Sequence, residues 1–118
     1  SYPVKLFEFE KLEEGVARVK NIKGIAVSIS DHVYDRMNTR TAITPQILND
    51  LMNRIPDVRN KFKPLDPNRQ FKIWSKSLNL GLGMKKGSDK DNHPRVLVAT
   101  VLDKPLFDNT DDIVFYVG

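Results

Sequence analysis

The sequence predicts an α+β domain: a twisted, mainly antiparallel sheet of four to six strands with a two-helix hairpin packed on one face. Three observations predict it. Apolar residues alternate with polar ones at a spacing of two in blocks near both ends of the chain, the pattern of half-buried strands. Residues 30–55 between those blocks change to helical spacing and carry capping residues where helices would start. The order is then strands, two helices and about four more strands. At 118 residues the chain can bury one sizeable core, so a single domain over 1–118 is expected.

Val4 to Phe9 alternates as one strand, and 12–15 (Leu-Glu-Glu-Gly) is a turn. Val16 to Lys20 is a second short strand, separated by Asn21 and Gly24 from a better one that ends at Ile29. Ser30 or Asp31 caps a first helix, since either side chain can accept the free amides of its opening turn. That helix sends Val33, Tyr34 and Met37 towards the core. Thr44 followed by Pro45 starts the second helix, because proline fits the first helical position, where its missing N–H costs nothing. Ile47, Leu48, Leu51, Met52 and Ile55 form its apolar face and Pro56 ends it.

Residues 57–70 form a basic, proline-containing connection. Phe71 and Ile73 mark a strand; Leu78, Leu80, Leu82 and Met84 alternate on the next, with Gly81 and Gly83 between them as signs of twist or close approach. Lys85 to Pro94 is a polar hairpin loop. Arg95 to Leu102 is the strongest strand and is expected at the centre of the sheet; Ile113 to Val117 is the last. Pro105 to Phe107 is a short crossing segment. Ser1 in place of a methionine is what a processed protein, or a domain cut from a longer one, would show.

Nineteen Lys plus Arg against fifteen Asp plus Glu give a net charge of +4. The acidic residues gather near the two ends of the chain, and the basic ones populate the middle, which suggests a basic face and a polyanionic partner. With no cysteine, thiolate metal sites and disulfides are excluded, and two histidines are poor material for structural zinc. No cofactor is expected. Asp89, Asp91 and Asn92 lack the spacing of a calcium loop, and Gly81 and Gly83 are not followed by a helix, as a nucleotide fingerprint requires. No apolar run approaches the roughly 18 residues of a membrane span, so a soluble, cytoplasmic protein is expected.

Within the first predicted helix, His32, Arg36 and Arg40 recur every four residues, a stripe that drifts by about 40° per step and can face one groove. This His-x3-Arg-x3-Arg pattern, followed by a short second helix and a run of strands, resembles the helical hairpin of the small RelE-like ribonucleases and toxins, most nearly the phage endoribonucleases of the RegB type. The resemblance covers about 24–102, with 1–23 as an N-terminal β extension. It implies metal-independent cleavage of messenger RNA, often on the ribosome, on a sheet face lined with basic residues. The chain departs from that pattern where toxins of this fold carry a dense cluster on the last strands. Here Arg95 leads a mostly apolar strand and the last strand offers only Tyr116.

Cleavage of RNA at a 2′-hydroxyl needs a general base, charge stabilisation at phosphorus and an acid for the leaving oxygen. Histidine titrates near neutrality and arginine holds phosphate through two bonds, so His32, Arg36 and Arg40 form one such set, with His93 as the second proton-transfer group. Lys76, Lys85, Lys86, Lys90 and Arg95 are the expected nucleic-acid contacts, and Trp74 and Tyr34 are candidates for stacking on bases. Plainer roles compete. His32 can bond its neighbours, Arg36 and Arg40 can pair with Asp31, Asp35 or Asp50, His93 can be a loop residue, and the aromatic residues can be core. A non-catalytic RNA- or ribosome-binding module would use the same cations, and a partner-binding domain would use the edge of Val4 to Phe9 or Ile113 to Val117.

Overall fold

The structure is a computed structural model that describes residues 18–31, 33, 44–103 and 112–118. Its centre is a six-stranded sheet in the order β1-β2-β5-β4-β3-β6, built from β1 (Arg18–Ile22), β2 (Ile25–Ile29), β3 (Gln70–Ser75), β4 (Leu80–Lys86), β5 (Arg95–Leu102) and β6 (Val114–Val117). Between β2 and β3 lie α1 (Pro45–Met52), a 3₁₀ turn (Ile55–Val58) and the single-turn α2 (Arg59–Phe62). The predicted strand from Val4 to Phe9, the rest of the first helix and the Pro105 to Phe107 crossing lie outside the described residues.

The sheet is mixed rather than mainly antiparallel. β1–β2, β3–β4 and β4–β5 are antiparallel, but β2–β5 and β3–β6 are parallel. Topology accounts for this. The helical segment carries the chain from the far end of β2 back to the end where β2 began, and β3 starts there. A meander of three strands then leaves β5 running the same way as β3, and so the same way as β2. The expected central strand is β5, which is bonded to β2 on one side and β4 on the other.

Register fixes the two faces. Ile25, Val27 and Ile29 of β2, Val96 and Val98 of β5, Leu82 and Met84 of β4 and Phe71 and Ile73 of β3 are all buried. The pairs Val27–Val96, Ile29–Val98, Met84–Val98 and Phe71–Met84 place them on one side. At Gly83/Met84 the register with β5 shifts past Ala99, and this bulge lets Val98 and Val101, three apart, both meet the core. Leu48, Leu51 and Met52 of α1, Ile55 and Val58 of the 3₁₀ turn and Phe62 of α2 close the layer. Phe62 stacks on Phe71 at 5.6 Å between ring centroids.

The helix starts follow their caps. Thr44 is extended (φ −81°, ψ 159°) and its Oγ1 accepts the Ile47 amide at 3.2 Å, with Pro45 behind it. Ser30 Oγ accepts the Val33 amide at 3.2 Å in the same way, and Val33 is buried as expected. The end of α1 differs from expectation: it stops at Met52, and Pro56 lies in the first positions of the 3₁₀ turn rather than terminating the helix. Residues 55–62 are also more than a connection, because Ile55, Val58 and Phe62 recur at helical spacing and enter the core. Arg54 closes the far end of the sheet. Its Nη1 donates to Ser75 Oγ at 2.9 Å, Ser77 Oγ at 2.6 Å and the Gly118 carbonyl, and its Nη2 lies 3.3 Å from Asp50.

On the face away from the helices, Trp74 is buried although its core-side neighbours Ile73 and Ser75 are buried too. Gly81 makes this feasible, since a Cβ there would lie 2.6 Å from the indole and 2.7 Å from the Ile73 carbonyl. Gly81→Ala is expected to destabilise the fold by about 1–3 kcal/mol, as overpacking does. A urea unfolding midpoint equal to that of the unmodified protein would contradict this packing.

Candidate nucleic-acid interface

Six strands and the helical segment bring basic residues together at one end of the sheet, where β2, β3 and β5 begin. The β1–β2 hairpin turns there through Lys23 (φ 48°) and Gly24 (φ 84°), a two-residue turn with both residues left-handed, as a type I′ hairpin needs. Alongside it the Ala26 amide donates to the Pro94 carbonyl at 3.1 Å, so the parallel β2–β5 pair begins beside His93. The 85–94 loop is built, too. Lys90 and His93 exchange backbone hydrogen bonds of 3.0 and 2.9 Å around Asp91 (φ 53°) and Asn92 (φ 64°), a second two-residue turn of the same kind.

The predicted cations separate on inspection of their partners. Lys86 departs from expectation. It follows Leu82 and Met84 on the core side of β4, is only 2% exposed, and its Nζ lies 2.6 Å from Asp89 Oδ1 and 3.3 Å from the Gly87 carbonyl. Its charge is spent inside the protein and cannot meet a phosphate. Lys76 is at the opposite end of the sheet, over the ring of the exposed Tyr116 at 5.2 Å, and so is apart from the others. Lys85, Lys90, His93 and Arg95 are at the basic end, and among the described residues none has an ion-pair partner. His32, Arg36 and Arg40 lie outside the described residues, as does any arrangement of His32 with His93. Trp74 is buried, which removes it as a stacking platform; Tyr34 lies outside the described residues.

Three further cations join this end: Lys23 in the hairpin turn, Arg59 at the start of α2 and Arg69 just before β3. The decisive placement is that of Arg59. Its Nη1 and the Nδ1 of His93 each come within 3.7 Å of the one point where a Cβ on Gly24 would sit. Sequence reading missed Arg59 because 57–70 looked like an irregular linker. The Ile55, Val58, Phe62 spacing was the signal that could have oriented it.

The carboxylates nearby are partly consumed. Asp89 holds Lys86, and Asp112 holds Lys72 at 2.6 Å, while Asp66 and Asp91 are exposed. The Lys72–Asp112 pair also lines an open groove of about 260 Å³ on the face away from the helices, together with Lys85, Gly83 and Thr100. Among the described residues no three His, Asp or Glu side chains come together as a metal site would require, and no helix is long and apolar enough to cross a membrane.

Comparison with family models, with curated proteins and with solved structures finds no match to this chain.

The Lys86–Asp89 pair is expected to hold the turn that carries Lys90 and His93. Asp89→Asn leaves a buried ammonium without its counter-charge and should cost about 1–3 kcal/mol, towards the low end because water reaches Asp89. Lys86→Met, which removes both the charge and the need for a partner, should cost less. Thermal melts of the two variants check the order; an Asp89→Asn protein more stable than Lys86→Met would be inconsistent with this role.

Proposed function

We propose that this protein binds RNA through the basic end of its sheet. One observation carries the reading. Lys23, Arg59, Arg69, Lys85, Lys90 and Arg95 gather there from four separate stretches of chain without ion-pair partners among the described residues, while Lys86, Lys72 and Arg54 are each paired elsewhere. Unpaired cations that converge from distant parts of a sequence are the electrostatic footprint of a polyanion site. The contacts would be to phosphate, which sets position and affinity without selecting sequence. A ribosome-bound RNA would be met in the same way.

Cleavage is a second reading, favoured by His93. His93 is exposed, and its imidazole and the Arg59 guanidinium both come close to Gly24, so a base or acid and a phosphate-stabilising group lie at the same turn. Metal-free attack by a 2′-hydroxyl needs those two functions and one further proton-transfer group. The stripe of His32, Arg36 and Arg40 remains the sequence's candidate for that group.

Fluorescence anisotropy with a single-stranded RNA oligonucleotide tests binding. The affinity is expected to fall linearly with salt on a double-logarithmic plot, at about 0.7 per phosphate neutralised. Charge removal at Arg69, Lys85 and Arg95 together should flatten that slope, and Lys76→Gln should leave it unchanged. Equal slopes for all of these proteins would sink the proposed surface. The same RNA incubated in EDTA and run on a denaturing gel separates the readings: products that disappear with His93→Ala favour the nuclease, and intact RNA throughout favours the binder.

A further inference from the structure

Two nitrogen-bearing side chains come close to Gly24, and nothing of the fold among the described residues answers them. Arg59 Nη1 and His93 Nδ1 both stand 3.7 Å from the point where a Cβ on Gly24 would sit. Among the described residues neither group has a hydrogen-bond or ion-pair partner. A guanidinium and an imidazole give the fold no ion pair with each other. Gly24 places no side chain against either nitrogen. Its left-handed φ of 84° already favours glycine, and any side chain would add a Cβ at that very point.

We propose that Arg59 and His93 form a phosphate subsite beside Gly24, each donating to a phosphate oxygen. The assignment rests on the RNA-binding reading and deepens it by naming one place where a phosphate is held. Nitrogens that both lie close to Gly24 can reach different oxygens of one phosphate, which offers several acceptors and the negative charge that such a pair lacks. Lys23, in the same turn, adds positive charge beside the subsite. The phosphate can be one within an RNA backbone or one at an RNA end, since the chemistry recognised is the same.

The test uses the whole chain and two probes. In the first, inorganic phosphate is titrated at constant ionic strength, with chloride as the balancing anion, and the side-chain signals of His93 and Arg59 are followed by NMR. Both are expected to move together and saturate. Arg59→Gln should weaken phosphate binding about tenfold, in line with the loss of a charge-assisted bond, while Lys76→Gln at the opposite end should change it less than about twofold. Gly24→Asn, which tolerates the left-handed backbone but sets a side chain against both nitrogens, should abolish the response while melting cooperatively. Silent His93 and Arg59 signals, or equal weakening by Arg59→Gln and Lys76→Gln, would overturn the subsite.

In the second probe, 5′-phosphorylated and 5′-hydroxyl RNA oligonucleotides of one sequence are compared. Larger movements with the phosphorylated form assign the subsite to a terminal phosphate, and equal movements assign it to the backbone. RNA binding with silent His93 and Arg59 signals overturns the subsite alone. A saturating response to inorganic phosphate without RNA binding overturns the RNA reading alone.

Discussion

The parallel pairing of β2 with β5 is the contact on which both the fold and the candidate site depend. It is the join between the N-terminal hairpin and the meander of β3, β4 and β5, and it places Val27 and Ile29 opposite Val96 and Val98 as the middle of the core. A parallel pair forces both strands to begin at the same end. The turn before β2 and the turn before β5 are therefore neighbours, linked by the Ala26 amide and the Pro94 carbonyl. Antiparallel pairing with the same residues would have put the Gly24 turn against the far end of β5, and Arg59 and His93 would not have met across it.

Most elements of the fold were legible in the sequence, because local signals there agree with one another. Thr44 with Pro45, the alternation from Leu78 to Met84 and the apolar run from Arg95 to Leu102 each specify an element, which the structure bounds at Pro45–Met52, Leu80–Lys86 and Arg95–Leu102, with Leu78 in the turn before β4. Strand direction was not legible. Period-two patterning says which face is buried but nothing about whether a partner runs up or down, and that depends on where a helical segment returns the chain. The single-turn α2 was hidden for another reason: Pro56 and Pro64 bracket it, so the breakers were more conspicuous than the helical spacing of Ile55, Val58 and Phe62.

Charge was the property most easily misread. A basic residue in a list of cations looks like any other, yet parity separates them. Lys86 stands two residues beyond Met84 and four beyond Leu82, so the strand rule places it on the buried face, where it needs Asp89. Lys85, one position earlier, takes the other face. Arg54 is removed from the binding inventory by a different device, since its guanidinium is committed to Ser75, Ser77, Asp50 and the Gly118 carbonyl. The positive charge that remains is concentrated at one end by these subtractions as much as by the placement of the cations themselves.

The convergence of Gly24, Arg59 and His93 is not something the fold needs. Each is fixed by its own local cause: a left-handed hairpin turn, a helical turn anchored by Ile55, Val58 and Phe62, and a two-residue turn closed by the bonds between Lys90 and His93. None of those causes uses the guanidinium or the imidazole. Core residues here are held by many neighbours and the structural cations by carboxylates or carbonyls. Arg59 and His93, by contrast, come close to Gly24 with no such partner among the described residues. An arrangement that stability does not explain is what the proposed phosphate would answer.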